Sequence, residues 1–101
     1  MKSPSECVDM GDIRAGIDAL DRELVALLAQ RAAFIDRAAE IKDAAGLPAN
    51  IPARVEEVVA KVRAAADEAR FDADLAERLW REMIGWSIAR EERQMGAKKD
   101  G

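Results

Sequence analysis

Leu24, Leu28, Arg31, Ile35, Ala38 and Lys42 follow one another in steps of four, three, four, three and four, which traces one continuous seam along an α-helix. Four of the six are apolar, so the seam is expected to face a core. Apolar positions continue upstream and around it at Ile13, Ile17, Leu20 and Leu27, and downstream at Ile41. The pattern predicts a first helix from near Asp9, whose carboxylate can cap the opening turn, to about Ala45. Gly46 then offers a left-handed stop, and Pro48 prevents continuation. The segment GLPANIPA reads as a loop, with Pro52 suited to the first turn of a second helix. That helix is expected to reach about Arg70 and to bury Val55, Val58, Val59 and Val62. Asp72 caps a third helix, which carries Leu75, Leu79, Met83, Ile84 and Ile88 to about Gln94. Runs of β-branched residues are few, and the fold class is all-α. Residues 1–101 form one domain, with an N-terminal arm at 1–8 and a flexible tail at 95–101 whose lysines are solubilising.

Length adds an architectural expectation. A first helix of about 35 residues is ~50 Å long, whereas a compact domain of about 100 residues has a radius of gyration of ~13 Å. Such a helix projects beyond its own globule while remaining apolar throughout. A second copy of the chain is the simplest cover, because Gly16 lies too near the N-terminus to fold the helix back on itself. The expected architecture is therefore an intertwined homodimer of three-helix chains.

Composition removes several function classes. The chain has no histidine, so imidazole acid–base chemistry, histidine triads and histidine-ligated metals are excluded. Neither a metal nor an organic cofactor is expected. The net charge is −4, from 16 basic and 20 acidic residues, and only two Phe and two Trp are available for stacking. A nucleic-acid surface is not expected. Apolar runs are too short for a membrane span, the N-terminus lacks a signal-peptide core, and the single Cys7 suits a reducing cytoplasm.

The seam nevertheless carries two cations, Arg31 and Lys42, ~16 Å apart along the axis. A charge placed in a core needs an anion or a route to water. Snorkelling would serve either residue alone. Other polar residues behave in the same way, however. Arg54 opens the valine seam of the second helix, and Trp80, Ile84, Ser87 and Glu91 form a stripe on the third that ends in polar residues. Internal ion pairs, such as Glu91 with Arg31, would account for this, and so would a polar pocket for an anion. Arg14 precedes Arg31 by ~25 Å, too far for both to touch one small ligand from the same chain. In an antiparallel dimer, Arg14 of one subunit can lie beside Arg31 of the other.

These residues carry a resemblance. The stretch DIRAGIDALDRELVALLAQR, the pair Ile41–Lys42, PARVEE and WSIAREE together resemble the all-helical chorismate mutase family over nearly the whole chain. KSPSEC followed by DIR is similar to the isochorismate-pyruvate lyase branch of that family. The resemblance implies an entwined dimer with two equivalent pockets for a small dicarboxylate, chorismate or isochorismate. It implies that Arg14 from one subunit and Arg31 from the other hold the two carboxylates. Arg54 would stand near the carboxylate and hydroxyl end, and Ser87 would contact the ring end. Lys42 would donate to the ether oxygen and to a carboxylate, with Glu91 facing the same oxygen from the other side.

The implied chemistry needs no nucleophile. In the rearrangement of chorismate to prephenate the breaking C–O bond gains negative charge at oxygen, and a fixed ammonium stabilises that charge more than it stabilises the ground state. Guanidinium groups would hold the side chain over the ring, since their planar forks grip carboxylates in two places. Val55 and Ile51 stand where many mutases have acids, and in this they resemble the lyase branch, which eliminates pyruvate and leaves salicylate. Glu91 stands where many relatives have glutamine. Chorismate mutase is the leading expectation and the lyase the alternative. A non-catalytic helical dimer that binds a dicarboxylate or a partner helix is the remaining reading.

Overall fold

The computed structural model describes residues 2–100, with residues 97–100 given by their helical backbone. Three helices follow a short 3₁₀ turn at Pro4–Glu6: α1 at Met10–Ala45, α2 at Pro52–Glu68 and α3 at Ala73–Asp100. The chain forms two compact units that divide between Phe34 and Ile35, within α1.

In the first unit, the arm is tied to the start of α1 by local hydrogen bonds. Asp9 Oδ1 accepts from the Asp12 amide at 2.8 Å, which is the expected N-terminal cap. Asp12 in turn accepts from the Val8 amide and from Lys2 Nζ, each at 3.1 Å. The following length of α1 buries little of its apolar surface. Every residue from Leu20 to Gln30 is exposed, Leu24 at 56% and Leu27 at 58%. The upstream part of the seam thus faces no core within its own unit.

The second unit begins with the last turns of α1, and its helix ends follow from backbone chemistry. Gly46 adopts φ +71°. The Leu47 amide bonds to Lys42 O at 2.8 Å and the Gly46 amide to Asp43 O, the paired bonds of a Schellman stop. The same pair recurs after α2, from Phe71 to Ala66 O and from Arg70 to Asp67 O. Here Arg70 takes the left-handed position at φ +57°. The second helix therefore ends at Glu68, before the expected Arg70. Asp72 Oδ1 caps the start of α3 by accepting from the Leu75 amide at 3.0 Å.

The third helix continues beyond the expected Gln94 to Asp100, and Met95 is buried with Ala39 and Ala49 in a cluster flanked by Ile88. Burial of Met95 accounts for this continuation, because it adds apolar packing on the turn where the sequence otherwise weakens. Gly101 and the side chains of the tail lysines lie outside the described residues.

The close backbone packing in this unit is between α2 and α3. Arg63 of α2 donates to Ala73 O, Asp74 and Glu77, and Arg81 of α3 forks onto Glu56 while also holding Glu77. Val59 is buried, and Val55, Val58 and Val62 are partly so. The remaining core is built from Ala66, Ala76 and Ile84, and among the described residues no large side chain is fully buried. No described helix is long and apolar enough to cross a membrane.

Candidate active site

Four of the expected site residues lie in the second unit, and three of them, Lys42, Ser87 and Glu91, are buried or part-buried. Lys42 is in the last turn of α1, and its ammonium is part-buried. It donates to the Ala49 carbonyl at 2.8 Å, which anchors the loop after Gly46. Its Nζ also lies 2.8 Å from Oε1 of Glu91, whose side chain is almost wholly buried. That oxygen accepts no well-aligned hydrogen bond among the described residues, so the contact is an ion pair held by distance. Ser87 stands one turn before Glu91 on α3, is buried, and donates to Met83 O of its own helix at 2.9 Å.

The second unit therefore holds a fixed ammonium between a carbonyl and a carboxylate. Glu91 pairs with Lys42, whereas the sequence offered Arg31 as its example of a partner. Arg54 is exposed at the start of α2 and pairs with Glu57 on its own helix. Ile51, at the N-cap of that helix, provides no side-chain cap, and Val55 follows Arg54 with no polar group to offer. Arg14, which is exposed, and Arg31, which is half-buried, belong to the first unit.

A neighbouring cleft is acidic among its described residues. It has a volume of about 530 Å³ and is lined by Asp43, Leu47, Pro48, Ala49, Glu92 and Met95, with two glycines. Among its described lining residues there are two carboxylates and no Lys or Arg. The expected cationic residues do not line it.

Sequence reasoning missed a second polar constellation that joins α1 to α3. Arg90 Nε and Nη2 donate to the two oxygens of Asp36 at 2.6 and 3.0 Å, and Gln94 Nε2 donates to Oδ1 at 2.7 Å. The Arg90 hydrogen bonds, with help from Gln94, hold the Asp36 carboxyl well below its ordinary range, at about 2. The guanidinium also lies 5.3 Å from the centre of the Trp86 ring, within cation–π range. The available signal was the spacing of Trp86, Arg90 and Gln94, each four residues after the last.

The all-helical architecture agrees with the comparisons with known proteins. The chain belongs to the chorismate mutase type II family, whose family model matches residues 13–92, and it is an enzyme of that family. It is 34% identical over 90 residues to the isochorismate pyruvate lyase of Pseudomonas aeruginosa, covering 88% of this chain and 87% of that protein. It is 28% identical over 75 residues to the chorismate mutase of Methanocaldococcus jannaschii, covering 74% and 76% of the two chains. A further match, 37% identical over 87 residues, is to the T-protein of Haemophilus influenzae; it covers 86% of this chain and 23% of that longer protein.

Proposed function

We propose that the chain is a chorismate mutase that converts chorismate to prephenate in two composite pockets of an intertwined homodimer. The observation that carries this reading is the part-buried Lys42 ammonium, fixed by Ala49 O and Glu91 at 2.8 Å each. A cation already held in place needs little reorganisation when charge develops on the ether oxygen. The substrate would replace the Glu91 contact of Lys42 with its own oxygen. Arg14 of one subunit and Arg31 of the other would take the two carboxylates, Arg54 would turn from Glu57 to the carboxylate and hydroxyl end, and Ser87 would border the ring. Glu91, once protonated, would donate to the same ether oxygen.

The dimer is supported by the exposed apolar residues of α1 from Leu20 to Leu28 and by a core in which, among the described residues, no large side chain is fully buried. Burial of several leucines, at about 1.5–3 kcal/mol each, is a sufficient drive for association. A cytoplasmic setting, with Cys7 as a free thiol, belongs to the same reading.

The second reading, isochorismate-pyruvate lyase, is favoured by Ile51 and Val55. These leave the start of α2 without an acid for a ring hydroxyl, and the match to the Pseudomonas aeruginosa lyase spans 87% of that protein. Purified protein offered chorismate and isochorismate separately, with assays for prephenate and for salicylate, decides between the two. Prephenate from chorismate supports the leading reading; salicylate from isochorismate alone replaces it with the second.

A further inference from the structure

We infer that Asp36 is a positioning residue for the reaction: through Arg90 and Gln94 it sets the register of α3 on α1, so that Glu91 meets Lys42. The inference rests on the proposed reading of Lys42 and Glu91 as the groups that face the reacting ether oxygen.

The two pairs are arranged as a two-point mount. Arg90 and Glu91 are adjacent on α3, so their side chains leave the helix about 100° apart at nearly the same level. Their partners on α1, Asp36 and Lys42, are six residues or ~9 Å apart along the axis. One contact between long side chains leaves a helix free to rotate and slide about it. Two contacts at separate levels of α1 fix both movements. The close backbone packing of α3 is against α2, and the buried cluster between α1 and α3 is small, Ala39 and Met95 with Ala49 of the loop, so the side-chain contacts carry much of the register of α3 on α1. The Asp36 contact is the stiffer of the two. Arg90 grips both carboxylate oxygens, Gln94 adds a third hydrogen bond one turn later, and the Trp86 ring lies beside the guanidinium. Lys42 is held separately, by Ala49 O, so the clamp governs the Glu91 side of the site.

Two measurements test this on the whole protein. The first is kcat for Asp36→Asn and for Arg90→Lys, which keeps the charge and loses the fork. Each is made in the parent and in a Glu91→Ala background, with folding checked by circular dichroism. At the pH of highest parent activity, a misplaced Glu91 should lower kcat about tenfold with little change in KM, since misplacement at the scale of an ångström can cost up to about a hundredfold. In the Glu91→Ala background there is nothing left to position, and the same substitutions should change kcat less than about twofold. The second needs no activity. The Tm loss caused by Lys42→Met should depend on whether residue 91 is Glu or Gln, and Asp36→Asn should remove most of that dependence. A similar kcat loss in both backgrounds, no loss in either, or an undiminished Lys42–Glu91 dependence overturns the inference. If the parent converts neither chorismate nor isochorismate, the proposed reaction falls, and the stability cycle alone decides whether Asp36 sets the pair.

Discussion

Lys42 Nζ and Glu91 Oε1 lie 2.8 Å apart, with the carboxylate side chain almost wholly buried and the lysine about one-fifth exposed. Opposite charges so placed stabilise each other strongly, and each is costly to leave alone. The proposed reaction uses the lysine charge, and the carboxylate partly neutralises it. Both consequences can be measured.

Lys42→Met keeps most of the length and stem packing while removing the charge. In the proposed reaction kcat should fall by about two to three orders of magnitude, with a much smaller effect on ground-state binding. The substitution also strands the Glu91 carboxylate, at a stability cost on the order of 2–3 kcal/mol. Adding Glu91→Gln to Lys42→Met should recover much of that stability and none of the turnover. Urea titration and steady-state kinetics on the single and double variants report the two effects separately. Near-normal kcat in Lys42→Met removes the electrostatic role.

In the proposed reaction the protonation state of Glu91 would matter. A carboxyl group donates a hydrogen bond only when protonated, whereas an ionised Glu91 puts negative charge beside an oxygen that is itself becoming negative and holds Lys42 in an ion pair. Glu91→Gln, which donates a hydrogen bond without needing a proton and leaves the lysine charge uncancelled, should therefore be the faster enzyme near neutrality, with kcat/KM measured side by side with the parent. If Glu91 serves instead as an ionised partner, the glutamine variant is the slower one.

Asp36 predicts a different pH effect, on stability. Its carboxyl titrates at about 2 in the folded chain because Arg90 and Gln94 hydrogen-bond the charged form; unfolded, it titrates near the ordinary value of about 3.9. The folded state thus releases this proton more readily than the unfolded state. The stabilisation is complete above about pH 4 and is lost as pH falls from there toward about 2. Asp36→Asn should be less stable than the parent near neutrality, and the gap in urea midpoint should close over that acidic interval. A gap independent of pH would show that the Asp36 charge contributes nothing to folding.

The contrast between these two acids shows what the sequence made legible. Local chemistry was readable: Asp9 and Asp72 cap as their positions suggested, and Gly46 ends α1. The end of α2 was not, since Arg70 occupies a left-handed position that usually takes glycine. The extension of α3 past Gln94 depends on Met95 packing with Ala39 and Ala49, a tertiary effect that local propensity cannot report. Periodicity put Lys42 and Glu91 each on a polar-ended stripe without stating which stripes meet, so Glu91 could be set against Arg31 as readily as against Lys42. Asp36 lies off the Leu24–Lys42 seam and 54 residues from Arg90, and nothing local marks their meeting.

The last prediction concerns the arginines that one chain cannot bring to one ligand. Arg14 and Arg31 are separated by ~25 Å along a continuous helix, so in the proposed dimer each subunit gives Arg14 to one pocket and Arg31 to the other. Arg14→Ala and Arg31→Ala should each be nearly inactive, because each homodimer has the lesion in both pockets, while remaining folded and dimeric by sedimentation. Mixing the two variants and allowing subunits to exchange makes heterodimers. In these, one pocket receives both lesions and the other receives neither, so a wild-type pocket returns. At full statistical exchange half of the dimers are mixed, and activity should recover to about a quarter of the parent value, since one pocket in two works in half the dimers. Tagging one variant and isolating the mixed species should raise this to about half. Two outcomes count against the assignment: a fully active monomer, or verified heterodimers with no recovery. Either would place Arg14 and Arg31 outside a shared pocket.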